Sequence, residues 1–265
     1  MVSSATGYQD ISLPTTVPED RGTRLMNHSA ARVPECSFGP RICGTASMNP
    51  SFRVGEVDVL ANQKSVRNLD FCRGRRQDGF RIHLYLVHRA LIIERCEKTV
   101  GKLISGLQNS RLGRIFERTF TRYPPGLEDS IAHHQALRYQ LGDLTCVVRF
   151  EVNASYERKV EEGGTSESLV LAMSRLQTDD GHGGDASASQ RLTQRVPMAQ
   201  ANAAGIKTAA KPKSPGAYMP QLWFGGTPWL IIGQQANGTF EKLKITHTAA
   251  QFAGWEETHR LDLRS

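Results

Sequence analysis

The stretch "WLIIGQQANGTFEKLKITH", residues 229–247, constrains the fold more than any other. Two apolar-rich runs flank Asn237-Gly238, a pair suited to the positive φ values of a two-residue hairpin turn. A chain carrying it must lay two antiparallel strands side by side. "ALRYQLGDLTCVVRFEVNA", residues 136–154, repeats the plan with Gly142-Asp143 as its turn. In "DGFRIHLYLVHRALIIER", Phe80, Ile82, Leu84 and Leu86 alternate with Arg81, His83, Tyr85 and Val87, the period of a strand. "VHRA" interrupts that run and "LIIER" resumes it, which predicts a third hairpin.

Helical signals lie between and after these strands. Val100, Leu103, Ile104 and Leu107 recur at three and four residues, and Leu112, Ile115, Phe116 and Phe120 continue the stripe. This predicts an amphipathic helix kinked near Gly113, with Arg111, Arg114 and Arg118 outward, ended by "YPPG" at 123–126. "AAQFAGWEETHRL" reads as a closing helix with Phe252 and Trp255 inward. Strands before and after a helix, joined by hairpins, predict an α+β fold around a mixed central sheet.

Composition shifts mark the other segments. Residues 1–50 are rich in Ser, Thr, Pro and Gly without a sustained period and read as a disordered tail. Residues 51–265 then form a single domain, with a flexible insertion at about 157–195 centred on "DDGHGGDASAS". The five cysteines form no C-x-x-C pair and read as reduced structural thiols. No apolar run approaches a membrane span, and the N-terminus lacks a basic start and apolar core, so a cytoplasmic or nuclear protein is expected.

The net charge of +7 is concentrated. Residues 67–122 hold 13 Lys/Arg against five acids, Asp70, Asp78, Glu94, Glu97 and Glu117. A basic face of this size suits RNA or DNA, with Arg81, Arg111, Arg114, Arg118 and Arg138 as candidate phosphate contacts; a solvated helix surface is the plain alternative.

Several chemistries are excluded. There is no G-x-x-x-x-G-K-[ST] and no G-x-G-x-x-G after a strand, so no nucleotide-binding loop. The histidines lack zinc spacing, and no G-x-S-x-G elbow presents a serine. "TDDGHGGD", residues 178–185, has glycines where an aspartate-rich metal helix needs helix formers. What remains is "RFEVN" (149–153) with "GIKT" (205–208). A metal-dependent nuclease needs carboxylates on neighbouring strands to hold Mg²⁺ and activate water, with a lysine to stabilise developing charge. Glu151 and Asn153 share a strand face, and Lys207 can arrive from an adjacent strand.

These motifs carry a resemblance. "GLEDSIAHHQALRYQLGDLTCVVRFEVNA", "RVPMAQANAAGIKTAA", "MPQLWFGGTPWLIIGQQANGTFEKLKITH" and "WEETHRLDL" resemble, in order, a group of filamentous-fungal proteins often labelled geranylgeranyl-diphosphate synthetases. The order of an E-x-D strand, an E-x-K strand and an aromatic strand is similar to the RNA 5′-end decapping exonucleases. That resemblance implies a PD-(D/E)XK nuclease-like core. It implies catalytic roles for Glu151 and Lys207 and a Mg²⁺ site at Glu151 and Asn153; in an active hydrolase a loop acid such as Asp143 or Glu128 would rebuild that site. The departures fall on that centre. Asn153 stands where the family has Asp, Gly205 where it has Glu, Gln140 where a turn has Asp, and Gly226 where the aromatic strand has Gln or Arg. The expectation is a degenerate nuclease-like protein, without efficient catalysis, that binds RNA or DNA through its basic face. An active metal-dependent hydrolase is the alternative. An accessory role in fungal terpenoid metabolism rests on the label alone.

Overall fold

The computed structural model describes residues 7–18, 23–25, 52–71, 81–96, 103–105, 112–123, 133–157, 199–211, 213–260 and 263. Contacts divide the chain into two compact units, 1–156 with 196–265, and 157–195. The described residues other than Glu157 belong to the first. Arg111, Glu128, the "TDDGHGGD" loop and the rest of the expected insertion lie outside the described residues.

The first half carries β1 (Gly7–Tyr8), β2 (Thr15–Thr16), β3 (Thr23–Leu25), β4 (Val59–Asn62), α1 (Gln63–Phe71), β5 (Arg81–Val87), β6 (Ala90–Cys96), β7 (Leu103–Ser105), α2 (Gly113–Phe120) and β8 (Thr121–Arg122). There follow β9 (His133–Leu141), β10 (Leu144–Val152), β11 (Ala154–Ser155), β12 (Ala203–Ala209), α3 (Met219–Phe224), β13 (Trp229–Ala236), β14 (Thr239–His247) and α4 (Phe252–Thr258). The class is α+β, and the mixed sheet is divided in two. One sheet runs β2-β14-β13-β12-β11-β1-β8 and the other β5-β6-β4-β10-β9. Parallel pairs occur in both, β12 with β13 in the first and β4 with β6 and β10 in the second.

All three expected hairpins form. Asn237 and Gly238 both take positive φ, 51° and 86°, as a two-residue turn between twisted strands requires. β9 and β10 pair over nine residues, from Leu144 opposite Leu141 to Val152 opposite His133. β5 and β6 close on Val87 opposite Ala90, with His88 at φ 53° in the turn.

The helix expected across residues 100–120 is shorter. Leu103–Ser105 is a strand paired with Thr23–Leu25, and α2 begins only at Gly113. Apolar spacing of three and four suits a helix, but pairing with a distant strand overrides it here.

Residues 7–18 fall within the stretch expected to be a tail. There, β1 pairs with β8 and β11, and β2 pairs with the start of β14. Val17 is buried in a core with Phe116, Phe120, Ile206, Ile231 and Phe240. The Phe116 ring stacks on Phe240 at 4.4 Å and lies across Gly233 of β13. A Cβ at 233 would come within 2.5 Å of that ring, so glycine there sets how closely α2 approaches the sheet. No helix of the described residues is long and apolar enough to cross a membrane.

Candidate functional site

β10 belongs to the five-stranded sheet and β11 to the seven-stranded one, and Asn153 is the single residue between them. At this crossing the ladder of β12 loses its neighbour. The Ile206 N–H donates instead to Asn153 Oδ1 at 3.1 Å. On its other side Asn153 Nδ2 donates to Glu117 Oε1 of α2 at 3.2 Å. The amide orientation follows from chemistry, because a backbone N–H can only donate and so must face the oxygen.

Glu117 reaches this point because of where it sits on α2. At about 100° per residue it lies about 60° from Phe120 around the helix, at the border of the buried stripe. Arg118 falls about 160° from both Phe116 and Phe120 and is exposed. Burial pushes the Glu117 carboxyl up to about 7 against the lowering effect of the Asn153 hydrogen bond; Glu151 raises it further, while Lys207 and Arg114 oppose. Lys207 of β12 is pushed below the ordinary lysine value, first by burial and then by Arg67, with Glu117 and Glu151 acting in the other direction. Glu151 itself is exposed on β10.

The structure therefore brings together Glu151, Asn153 and Lys207, and adds Glu117 and Arg114. Lys207 does not come from the strand beside β10 in one sheet, because the two strands belong to different sheets joined through β11. Asp143 is not part of the centre. It occupies the β9–β10 turn, eight residues of extended strand from Glu151, or about 26 Å. Gln140 is at that same far end, donating to Thr145 Oγ1 at 3.0 Å. Gly226 lies in the turn after α3, at φ 52°, against Leu137 and Gln200. Of the four departures from the family pattern, Asn153 and Gly205 alone meet at the crossing. Gly205 is buried, and a Cβ there would press on Leu222 at 3.3 Å.

These donors do not fit a catalytic divalent cation. A cation between Glu117 and residue 153 requires oxygen on both sides, but Asn153 turns an N–H toward Glu117 and keeps its oxygen for Ile206. Gly205 offers no ligand. Among the described residues no group of three His, Cys, Asp or Glu is placed to hold a metal ion.

A second set of polar residues continues from Glu151 across the five-stranded sheet. Cross-strand partners share a face. Glu151 therefore shares a face with His134, Arg149 with Asn62, and Val147 with Arg138. On that face Val147, Leu60 and Ile92 are buried in a core with Phe52 and Val57, which covers this part of it. Its β5 edge carries Arg81, His83 and Tyr85, with Tyr85 opposite Ile92 and His83 opposite Glu94. The Arg81 guanidinium donates to His83 Nε2 at 3.0 Å, so the ring proton is on Nδ1 and is donated to the Tyr85 hydroxyl at 3.2 Å. Arg138 is exposed and pairs with Glu56 at 3.6 Å. Burial lowers Arg149 to about 10 against the pull of Glu151.

Of the arginines singled out from sequence, Arg81 and Arg138 lie on this face, and Arg114 and Arg118 lie on α2. Two residues were not singled out from sequence, Glu117 of the centre and Arg149 of the sheet face. Glu117 was legible as the acid bordering the stripe in "GRIFERTF". Arg149 was legible as the partner of Glu151 two residues earlier on one strand face.

This architecture is similar to that of solved nuclease-like proteins. S. pombe Rai1 aligns with 97% of this chain and 71% of its own, at 12% identity and a TM-score of 0.58. Scheffersomyces stipitis Rai1, in complex with (3′-NADP)⁺ and calcium ion, aligns with 98% of this chain and 68% of its own, at 12% identity and 0.53. Candida albicans Rai1, in complex with pU5-Mn²⁺, aligns with 93% of this chain and 66% of its own, at 10% identity and 0.54. The fold is accordingly an α+β, PD-(D/E)XK nuclease-like one. The chain itself belongs to the family described as Domain of unknown function (DUF8563), whose model matches residues 2–265. No curated protein matches it. None of these findings supports the synthetase label of the fungal group.

Proposed function

We propose that this protein binds RNA on the polar face of its five-stranded sheet and does not hydrolyse it efficiently. The observation that carries this reading is the Asn153 bridge, which joins Glu117 to β12 through hydrogen bonds where a nuclease needs a cation. Arg81, Arg138 and Arg149 supply positive charge along one face, with Arg114, Arg118 and Lys207 near the crossing. Tyr85 and His83 offer flat rings at the far edge for base stacking. The likeness to Rai1, one structure of which is a complex with pU5-Mn²⁺, supports RNA as the polyanion.

A 5′-phosphorylated oligouridylate with a fluorescent label tests this by polarisation and by gel. Binding is expected in EDTA and in Mn²⁺ alike, weakening with salt, with the oligonucleotide intact. Arg149→Ala is expected to lower the slope of log K against log salt by roughly 0.7, one phosphate contact on a single strand. Absence of binding at low salt would remove the proposal.

A second reading, a metal-dependent hydrolase, is favoured by Glu117, which sets a second carboxylate near Glu151 and Lys207. Mn²⁺-dependent cleavage that disappears in both Glu117→Gln and Glu151→Gln would establish it in place of the first.

A further inference from the structure

We propose that the chain forms a two-fold dimer by pairing β5 with β5 of a second copy, antiparallel about Leu84. β5 ends the five-stranded sheet, and no described strand lies beyond it. The backbone groups at this edge can be identified. Leu91 donates its N–H to Asp58 O at 2.7 Å, toward β4, so Leu91 and its partner Leu86 form a non-hydrogen-bonded pair. Leu86 therefore turns its own N–H and C=O away from β6, and by alternation Leu84 and Ile82 do the same.

The side chains of this edge are apolar where a solvated edge is normally polar. Leu86 is 74% exposed and Leu84 58%, and Tyr85 and Val87 are also exposed. Edge strands ordinarily carry lysine, proline, a bulge or an inward charge that blocks pairing. Residues 82–87 contain no lysine, proline or acid, and the ladder to β6 runs without a bulge. The opposite edge of the same sheet, β9, follows the ordinary rule and exposes Arg138 and Gln140. β2 pairs with Thr239 and Phe240 of β14, and the rest of that strand carries Glu241, Lys242 and Lys244, the charges expected of an edge.

Self-pairing about Leu84 satisfies this edge in register. Leu84 falls opposite Leu84 and Ile82 opposite Leu86, so the residues with outward backbone groups meet one another. Arg81 falls opposite Val87 and His83 opposite Tyr85, so no cation directly faces a cation. The apolar side chains of Ile82, Leu84 and Leu86 then form one stripe across the two-fold axis. A closed two-fold contact of this kind is the commonest symmetry of homo-oligomers. It leaves the Arg149 face of each copy open, and it does not depend on the RNA-binding reading.

Sedimentation equilibrium of the full chain over a concentration series is the test. The mass is expected to rise with concentration from one chain to two. Leu84→Lys sets two ammonium groups against each other on the axis and is expected to hold the mass at one chain, with an unchanged circular-dichroism spectrum. Leu86→Lys, opposite Ile82, should weaken the dimer less. Leu144→Lys, an exposed apolar residue away from β5, should leave it intact. A chain monomeric at every concentration, a chain that gains mass only with a different protein, or a dimer unaffected by both β5 variants would overturn the proposal.

Discussion

The two ends of β10 differ in what their polar groups do. At its start Asp58 accepts the Thr145 N–H at 2.8 Å and Gln140 bonds Thr145, ordinary fastenings of a hairpin. At its finish Asn153 joins two sheets and a helix, and a carboxyl, a lysine and two arginines crowd around it. Between these ends Arg149 is half-buried and Glu151 exposed on one sheet face. One strand thus carries a hydrogen-bonded polar centre at one end and an ordinary hairpin turn at the other, with Glu151 bordering the centre.

The sharpest way to break that contrast is at Asn153. Asn153→Ala removes both bonds, leaving the Ile206 N–H and Glu117 without their partner, and is expected to cost about 2–3 kcal/mol in urea unfolding. Asn153→Asp keeps the acceptor but sets a second carboxylate beside Glu117. The variant should be destabilised in EDTA and should regain thermal stability with Mn²⁺, while the parent shows no Mn²⁺-dependent shift. Equal Mn²⁺ shifts in parent and variant would show that the parent centre already holds a cation.

Glu117 gives the next effect. Its carboxyl is raised from 4.5 to about 7, so the folded state holds a proton that the unfolded chain releases. Its contribution to stability is full below about pH 4.5 and is lost as pH rises through about 7. The loss is roughly 3 kcal/mol at most for a shift of this size. Glu117→Gln keeps an oxygen for Asn153, so it should flatten the fall in stability between pH 5 and 8 and be the more stable protein at pH 8. An unchanged pH profile would mean that Glu117 is solvated.

The smallest effect belongs to the other end of β10. Asp143→Asn should change unfolding free energy by less than about 0.5 kcal/mol and leave RNA binding and Mn²⁺ response as in the parent. A clear loss of either would bring the turn back into the centre.

The hairpins were legible because their signals are local: Asn237-Gly238 needs only its own two residues to demand a turn. The candidate centre was half legible. Glu151, Asn153 and Lys207 stood in strand-like motifs, whereas Glu117 was hidden among the charges of an arginine-rich helix. Finding it requires asking which acid borders the Phe116–Phe120 stripe. Asp143 lies only eight positions from Glu151, but a straight strand turns eight residues into separation rather than contact. The strand at Leu103–Ser105 was illegible because its partner lies at Thr23–Leu25, far away in the chain.

The pairing of β2 with β14 has a consequence in time. Thr16 meets Thr239 across 223 residues of chain, hydroxyl to hydroxyl at 2.9 Å. At ordinary translation speeds, roughly 10 to 45 seconds separate the synthesis of these two residues. During that interval Ile11, Leu13 and Val17 have no core to enter, because Phe240 and Ile231 do not yet exist. A segment that must wait in water benefits from Ser12, Thr15 and Thr16 between those three apolar residues. The polarity that makes residues 7–18 read as a tail is what a late-docking strand needs while the ribosome is still at work.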